Sequence, residues 1–155
     1  MKKILVLAVV ALSFATGLCR SIDDVFNTFP KANNVQLVEV PGMLDMIQSK
    51  LDAKSKEKNA PKSIIESVKI LIIEEATDQQ KDIARQILDE GIDGMEEMVN
   101  VNDNGEDVTI LSQQQGDHIA QMLIIIFENE ENEVGLVHLK GVLQTEDVKN
   151  MGVFN

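Results

Sequence analysis

Asn100, Asn102, Asn104 and Gly105 stand at the spacing of the first half of a calcium loop. There, alternate oxygen donors surround the ion and a glycine permits the sharp bend. The twelfth position of such a loop needs a bidentate glutamate, and here it holds Leu111. A tight hairpin turn at Asn104-Gly105 accounts for the same residues. Glu128, Glu130, Glu131 and Glu133 are dense enough to gather a divalent cation, but a run of like charge is more commonly a solvated turn. That turn would also keep an apolar hairpin from edge-to-edge association. The two histidines, His118 and His138, have no HExxH or Cys/His spacing around them. If residues 128–133 join two strands, position 127 faces 134, His138 lies opposite about 123, and His118 is far away. His138 then reads as a half-buried strand residue. No G-x-S-x-G elbow, P-loop or dinucleotide-binding glycine pattern occurs. With 26 acidic residues, no carboxylate pair stands out as a catalytic dyad. These residues nominate no catalytic group, no cofactor and no metal.

The elements that would carry them follow from pattern. Ser21 can cap a short helix that Pro30 stops. Val35 to Val40 is a β-rich run ended by Pro41-Gly42. Met43, Met46, Ile47 and Leu51 recur at helical spacing. Val68 to Ile73 is a second strand, apolar on both faces and therefore interior to a sheet. Thr77 and Gln80 form a capping box and Gly91 a C-terminal stop, with Ile83, Ile87 and Leu88 on one face between them. Four strands with short links then follow, at Met95 to Val101, Val108 to Gln113, Ile119 to Phe127 and Val134 to Leu139, before a last short helix at Glu146 to Met151. Strands joined through helices tend to be parallel. The expected fold is therefore α+β: a mixed six-stranded sheet, β-α-β-α followed by a four-stranded antiparallel meander, with helices mainly on one face.

The chain begins with an export signal. Lys2 and Lys3 precede the apolar run Ile4 to Leu12, and small residues follow at Ala15, Thr16 and Gly17. The run is short of the ~20 residues of a membrane span. Residues 1–19 are read as a secretory signal peptide and 20–155 as a single domain. Cys19 is the sole cysteine, so no intramolecular disulfide forms. Cys19 is also the candidate lipidation site. A lipobox wants a small residue before the cysteine, but Leu18 stands there, which favours simple release over acylation.

The formal charge is −12, and loss of Lys2 and Lys3 makes the mature chain more acidic still. Such a chain does not hold phosphate backbones by counterion release. That argues against nucleic acid, and against a membrane surface unless Cys19 is lipidated. Trp and Tyr are absent, which removes the usual stacking platforms for bases and sugars.

One stretch runs against the charge. Lys54, Lys56, Lys58 and Lys62 concentrate in the polar connection 52–63, a candidate interaction loop whose commoner meaning is a solvated loop.

Several segments resemble the family called domain of unknown function 4252. They are S-I-D-D-V-F at Ser21 to Phe26, V-x-L-V-x-V-P-G-M at Val35 to Met43, K-I-L-I-I-E-E at Lys69 to Glu75, M-V-N-V-N-D-N-G-E-D-V-T-I at Met98 to Ile110, and H-L-K-G at His138 to Gly141. The resemblance spans roughly residues 20–152. It implies a small exported protein of the envelope of Bacteroides-type bacteria, often lipid-anchored, and carries over no activity and no functional residues. The expected function is a non-enzymatic protein-interaction domain in the periplasm or at the cell surface, with an envelope protein as partner. Two alternatives stand beside it. One is a carrier of a small apolar ligand or lipid, its site lined by Met43, Met46, Met95, Met98 and Met122. The other is an enzyme of unfamiliar design, which would need a cleft with convergent polar groups and shifted pKa values.

Overall fold

The computed structural model describes residues 20–39 and 63–149. Helix α1 (Ile22–Thr28) starts at Ser21, whose hydroxyl accepts the Asp24 N–H while the Asp24 carboxylate accepts the Ser21 N–H. Strand β1 (Val35–Glu39) follows. Strand β2 (Ile64–Ile73) begins four residues earlier than its apolar run suggests. Helix α2 (Asp78–Glu90) has the capping box Thr77/Gln80 and ends at Gly91. Strands β3 (Glu96–Asp103), β4 (Glu106–Gln115), β5 (His118–Glu128) and β6 (Glu133–Leu143) make the meander. Helix α3 (Thr145–Lys149) comes last.

The sheet order is β1-β2-β6-β5-β4-β3, and every neighbouring pair is antiparallel. The expected mixed sheet is thus corrected. Strands β2 and β3, joined through α2, do point the same way. Yet β6, β5 and β4 lie between them, so the helical crossover spans the sheet without creating a parallel pair. β1 lies antiparallel to β2, with Leu37 beside Leu71 and Glu39 beside Lys69. The β5–β6 register has Phe127 opposite Val134 and Leu123 opposite His138, as the length of the 128–133 turn requires. Because β5 and β6 are interior, the acidic turn guards no edge. Asn132 in that turn instead accepts a hydrogen bond from the Ala76 N–H through its carbonyl and one from Lys81 through its side chain.

The residues that suggest a calcium loop form the β3–β4 hairpin. Asn104 and Gly105 both have positive φ, 51° and 83°, the signature of a two-residue type I′ turn. The Asn102 amide is engaged by Asp107 across it.

Alternation along the strands divides the core into two clusters. On one face Leu71, Ile73, Leu123, Ile125, Val134 and Leu136 pack under α1 and α2, which contribute Val25, Phe26, Ala84 and Ile87. On the other face lie Val68, Ile110, Met122, Ile124 and Leu139, joined by Val148 of α3. Met95 packs with the first cluster, while Met98 and Met122 belong to the second. These methionines therefore line no common cavity. Met43 and Met46 lie outside the described residues.

Candidate functional site

The helix-bearing face of the sheet changes chemistry part-way along its strands. Across β2, β6 and β5, directly opposed residues form rows. The row Leu71–Leu136–Ile125 is apolar and buried. The next row toward the start of β2 reads Glu39–Lys69–His138–Leu123, and the one after it Ser67–Lys140–Gln121–Gln113. Side chains at i and i+2 share a face, so Lys69 and Ser67 continue the row of Leu71. His138 and Lys140 likewise continue that of Leu136. Here the first turn of α1 borders a cleft of about 670 Å³. That is the size of an ordinary small-molecule site, ~300–1,000 Å³.

The floor of the cleft is organised by hydrogen bonds. The Gln121 amide donates to Gln113 Oε1 at 2.7 Å, and Gln121 Oε1 lies 2.9 Å from His138 Nε2. A carbonyl oxygen only accepts, so Nε2 carries the proton and Nδ1 of the neutral ring is left with a lone pair. Burial, and after it the positive charge of Lys69, push the His138 pKa down to about 4; Asp23 opposes the shift and Lys140 adds to it. The Phe26 ring lies tilted against the imidazole at 6.3 Å. Lys69 Nζ sits 5.2 Å from the centre of the same ring, a cation–π contact that helps hold the ammonium in place.

Around the floor is an acidic rim. Lys69 Nζ is 3.8 Å from Asp23 and 3.7 Å from Glu39, and these two carboxylates are 84% and 70% exposed. Both distances exceed the 2.7–3.2 Å of a hydrogen bond, so the ammonium keeps donors to spare. At the back of the cleft Arg20 pairs with Glu90 at 3.0 Å. Its carbonyl accepts the Asp93 N–H at 3.1 Å. Its Nη1 is buried with no hydrogen-bond partner among the described residues. Asp24, also lining the cleft, is held below the usual carboxylate range by hydrogen bonds from the Ser21 N–H and then its hydroxyl.

Next to the cleft is an open sheet edge. Among the described residues β1 is an outermost strand, and Glu39 at its end lines the cleft. The Glu74 N–H donates to Asn34 O at 2.9 Å. Asn34 and Glu74 are opposite in the β1–β2 register, so the bonded positions toward β2 continue at Gln36 and Val38. The backbone groups of Leu37 and Glu39 accordingly point away from the sheet, while the Val35 N–H donates to Ala32 O at 3.0 Å. Leu37 is 54% exposed and Val38 41%. The strand is fastened at its start, where the side chains of Asn34 and Gln80 bond each other and Asn34 also reaches Glu74 O.

The family described as Domain of unknown function (DUF4252) matches residues 28–151. The chain belongs to this family. The match takes in every strand and the cleft residues Lys69, Gln121, His138 and Lys140. It starts beyond the Ser21 to Phe26 segment that also suggested the resemblance. No curated protein and no solved structure matches the chain.

Of the sites expected from sequence, Cys19 and the loop residues Lys54, Lys56, Lys58 and Lys62 lie outside the described residues. His138 is the half-buried strand residue expected, but its partners were not foreseen. His118 stands at the β4–β5 turn, 3.3 Å from Asp117 and apart from His138. Sequence reading missed Lys69, Gln121 and Lys140. The available signal was a polar residue within each apolar strand run, at matching heights once β2 is paired with β6.

Proposed function

We propose that this member of the family is exported to the periplasm or cell envelope. There it works by holding a protein partner rather than by turnover, and the free edge of β1 is the contact. The export pattern at residues 1–19 and the family resemblance support the address. One observation carries the contact: the outward-facing backbone of Leu37 and Glu39 on an edge strand whose Leu37 and Val38 side chains are open to solvent. An extended partner segment can complete that hydrogen-bond ladder and cover both side chains, which lie on opposite faces of the strand. Site-specific photocrosslinking in intact envelopes tests it. A probe at Gln36, facing the strand's exposed side, is expected to give one reproducible adduct that Leu37→Lys abolishes while the protein stays folded. An adduct unchanged by Leu37→Lys would place the contact elsewhere.

The cleft favours a second reading, an enzyme of unfamiliar design, because it joins convergent polar groups to a histidine with a shifted pKa. A conjugate acid with a pKa of about 4 belongs to a weak base at neutral pH, however. His138 is better suited to accept a hydrogen bond at Nδ1 than to abstract a proton, which keeps binding ahead of catalysis. A carrier of apolar ligands finds less support in a floor made of lysines, glutamines and histidine.

A further inference from the structure

We infer that the cleft beside β1 is a binding site for a small zwitterion of the short-peptide class, separate from the strand-accepting edge. Its carboxylate would be seated on the floor and its ammonium at the rim. Two lysines stand on the floor, one in long ion pairs and one in none among the described residues. Lys69 faces His138, and Lys140 is two residues further along β6, which makes the two lysines diagonal neighbours roughly 7–8 Å apart. Lys69 touches its carboxylates only at 3.7 and 3.8 Å. Lys140 has no ion pair among the described residues. Two like charges on one face repel each other unless an anion comes between them.

A second observation points the same way. Arg20, which also lines the cleft, keeps a buried guanidinium nitrogen without an acceptor among the described residues. An unmet buried donor of this kind costs stability, and it calls for a functional explanation.

The rim carries the opposite sign. Asp23 and Glu39 stand mostly in solvent with their outer oxygens free to take a cation, and Glu66 and Asp93 extend the acidic border. A simple anion would meet this border as repulsion, and a simple cation would meet the floor as repulsion. A molecule with both charges satisfies both. Between the charged groups, the hydrogen-bonded Gln113–Gln121–His138 series offers fixed polar atoms at the height of a peptide group. Nδ1 of His138 serves there as acceptor for an amide N–H. The side chains are held before the guest arrives, which limits the ordering cost of binding.

The probe is triglycine, compared with N-acetyltriglycine, which lacks the ammonium, and triglycine amide, which lacks the carboxylate. Binding is read from the Gln121 side-chain amide and His138 ring resonances of the purified protein. Triglycine is expected to shift both saturably, and each blocked form to bind roughly tenfold more weakly, the effect of losing one charge-assisted contact. Lys140→Gln, at an exposed position, is expected to weaken triglycine but not triglycine amide. Glu39→Gln is expected to weaken triglycine but not N-acetyltriglycine. Thermal melts confirm that both variants are folded. Equal affinity for all three peptides, the absence of a saturable triglycine shift, or folded variants that bind triglycine unchanged would overturn the inference.

Discussion

The two edges of the sheet meet solvent in opposite ways. β3 is guarded. A bulge at Met98 interrupts its pairing with β4, acidic residues stand at both ends in Glu96, Glu97 and Asp103, and its valines are partly covered. Bulges and charge are the usual means of keeping an edge from acquiring another strand. β1 has no bulge: its five residues pair evenly with β2, and although Val35 packs against the core, Leu37 and Val38 are open. Both edges belong to one well-packed sheet, so poor packing does not explain the difference. Among the described residues, one edge carries the usual guards against association and the other lacks them.

The largest effect that sharpens this comparison comes from a pair of leucines side by side. Leu71 is buried beneath α1, while its neighbour Leu37 on β1 is half open. Leu71→Ala should cost about 2–5 kcal/mol in denaturant unfolding. Leu37→Ala should stay within about 0.5 kcal/mol. A comparable loss from Leu37→Ala would mean that β1 is held by packing and is no free edge.

A smaller effect separates the β1 side of the sheet from the β3 side by pH. Above the ordinary histidine pKa of 6.5 His138 is neutral both folded and unfolded, and its environment adds no pH dependence. As pH falls from 6.5 toward the folded value of about 4, the unfolded chain takes up a proton that the folded chain resists, so stability falls. Below about 4 both states are protonated and this contribution levels off. The loss that Asp24 contributes begins only as pH falls through its unfolded value near 3.8. His138→Gln should therefore flatten the stability profile between pH 6.5 and 4. Early acid loosening should appear in the amides of β2 and β6 before those of β3. An unaltered slope in the variant would remove His138 from the account.

Much of the fold was legible because local rules set it. The Ser21 and Thr77 caps, the Gly91 stop and the Asn104-Gly105 turn are decided within a few residues, and the structure has each of them. The turn length at 128–133 even set His138 opposite Leu123. Strand order was not legible, because it depends on contacts distant in sequence. Nothing near β2 states that β6 will pair with it. The cleft was hidden for the same reason. Lys69 between Val68 and Ile70, and His138 between Val137 and Leu139, each look like the polar side of an alternating strand. Only the β2–β6 register shows that they adjoin, on a face whose rows toward Ile73 are apolar. The edge character of β1 also depends on strand order, since the hydropathy of Val35 to Val40 suits an interior strand equally well.

The central claim is that a partner strand completes the ladder on β1. The most direct measurement is amide hydrogen exchange at Leu37 and Glu39, in the protein alone and in its crosslinked envelope complex. These amides point away from β2 and should exchange rapidly in the free protein. In the complex they should become protected together, while the outward amides of β3 stay unchanged. Rapid exchange at Leu37 in the complex, or new protection confined to β3, would contradict the account.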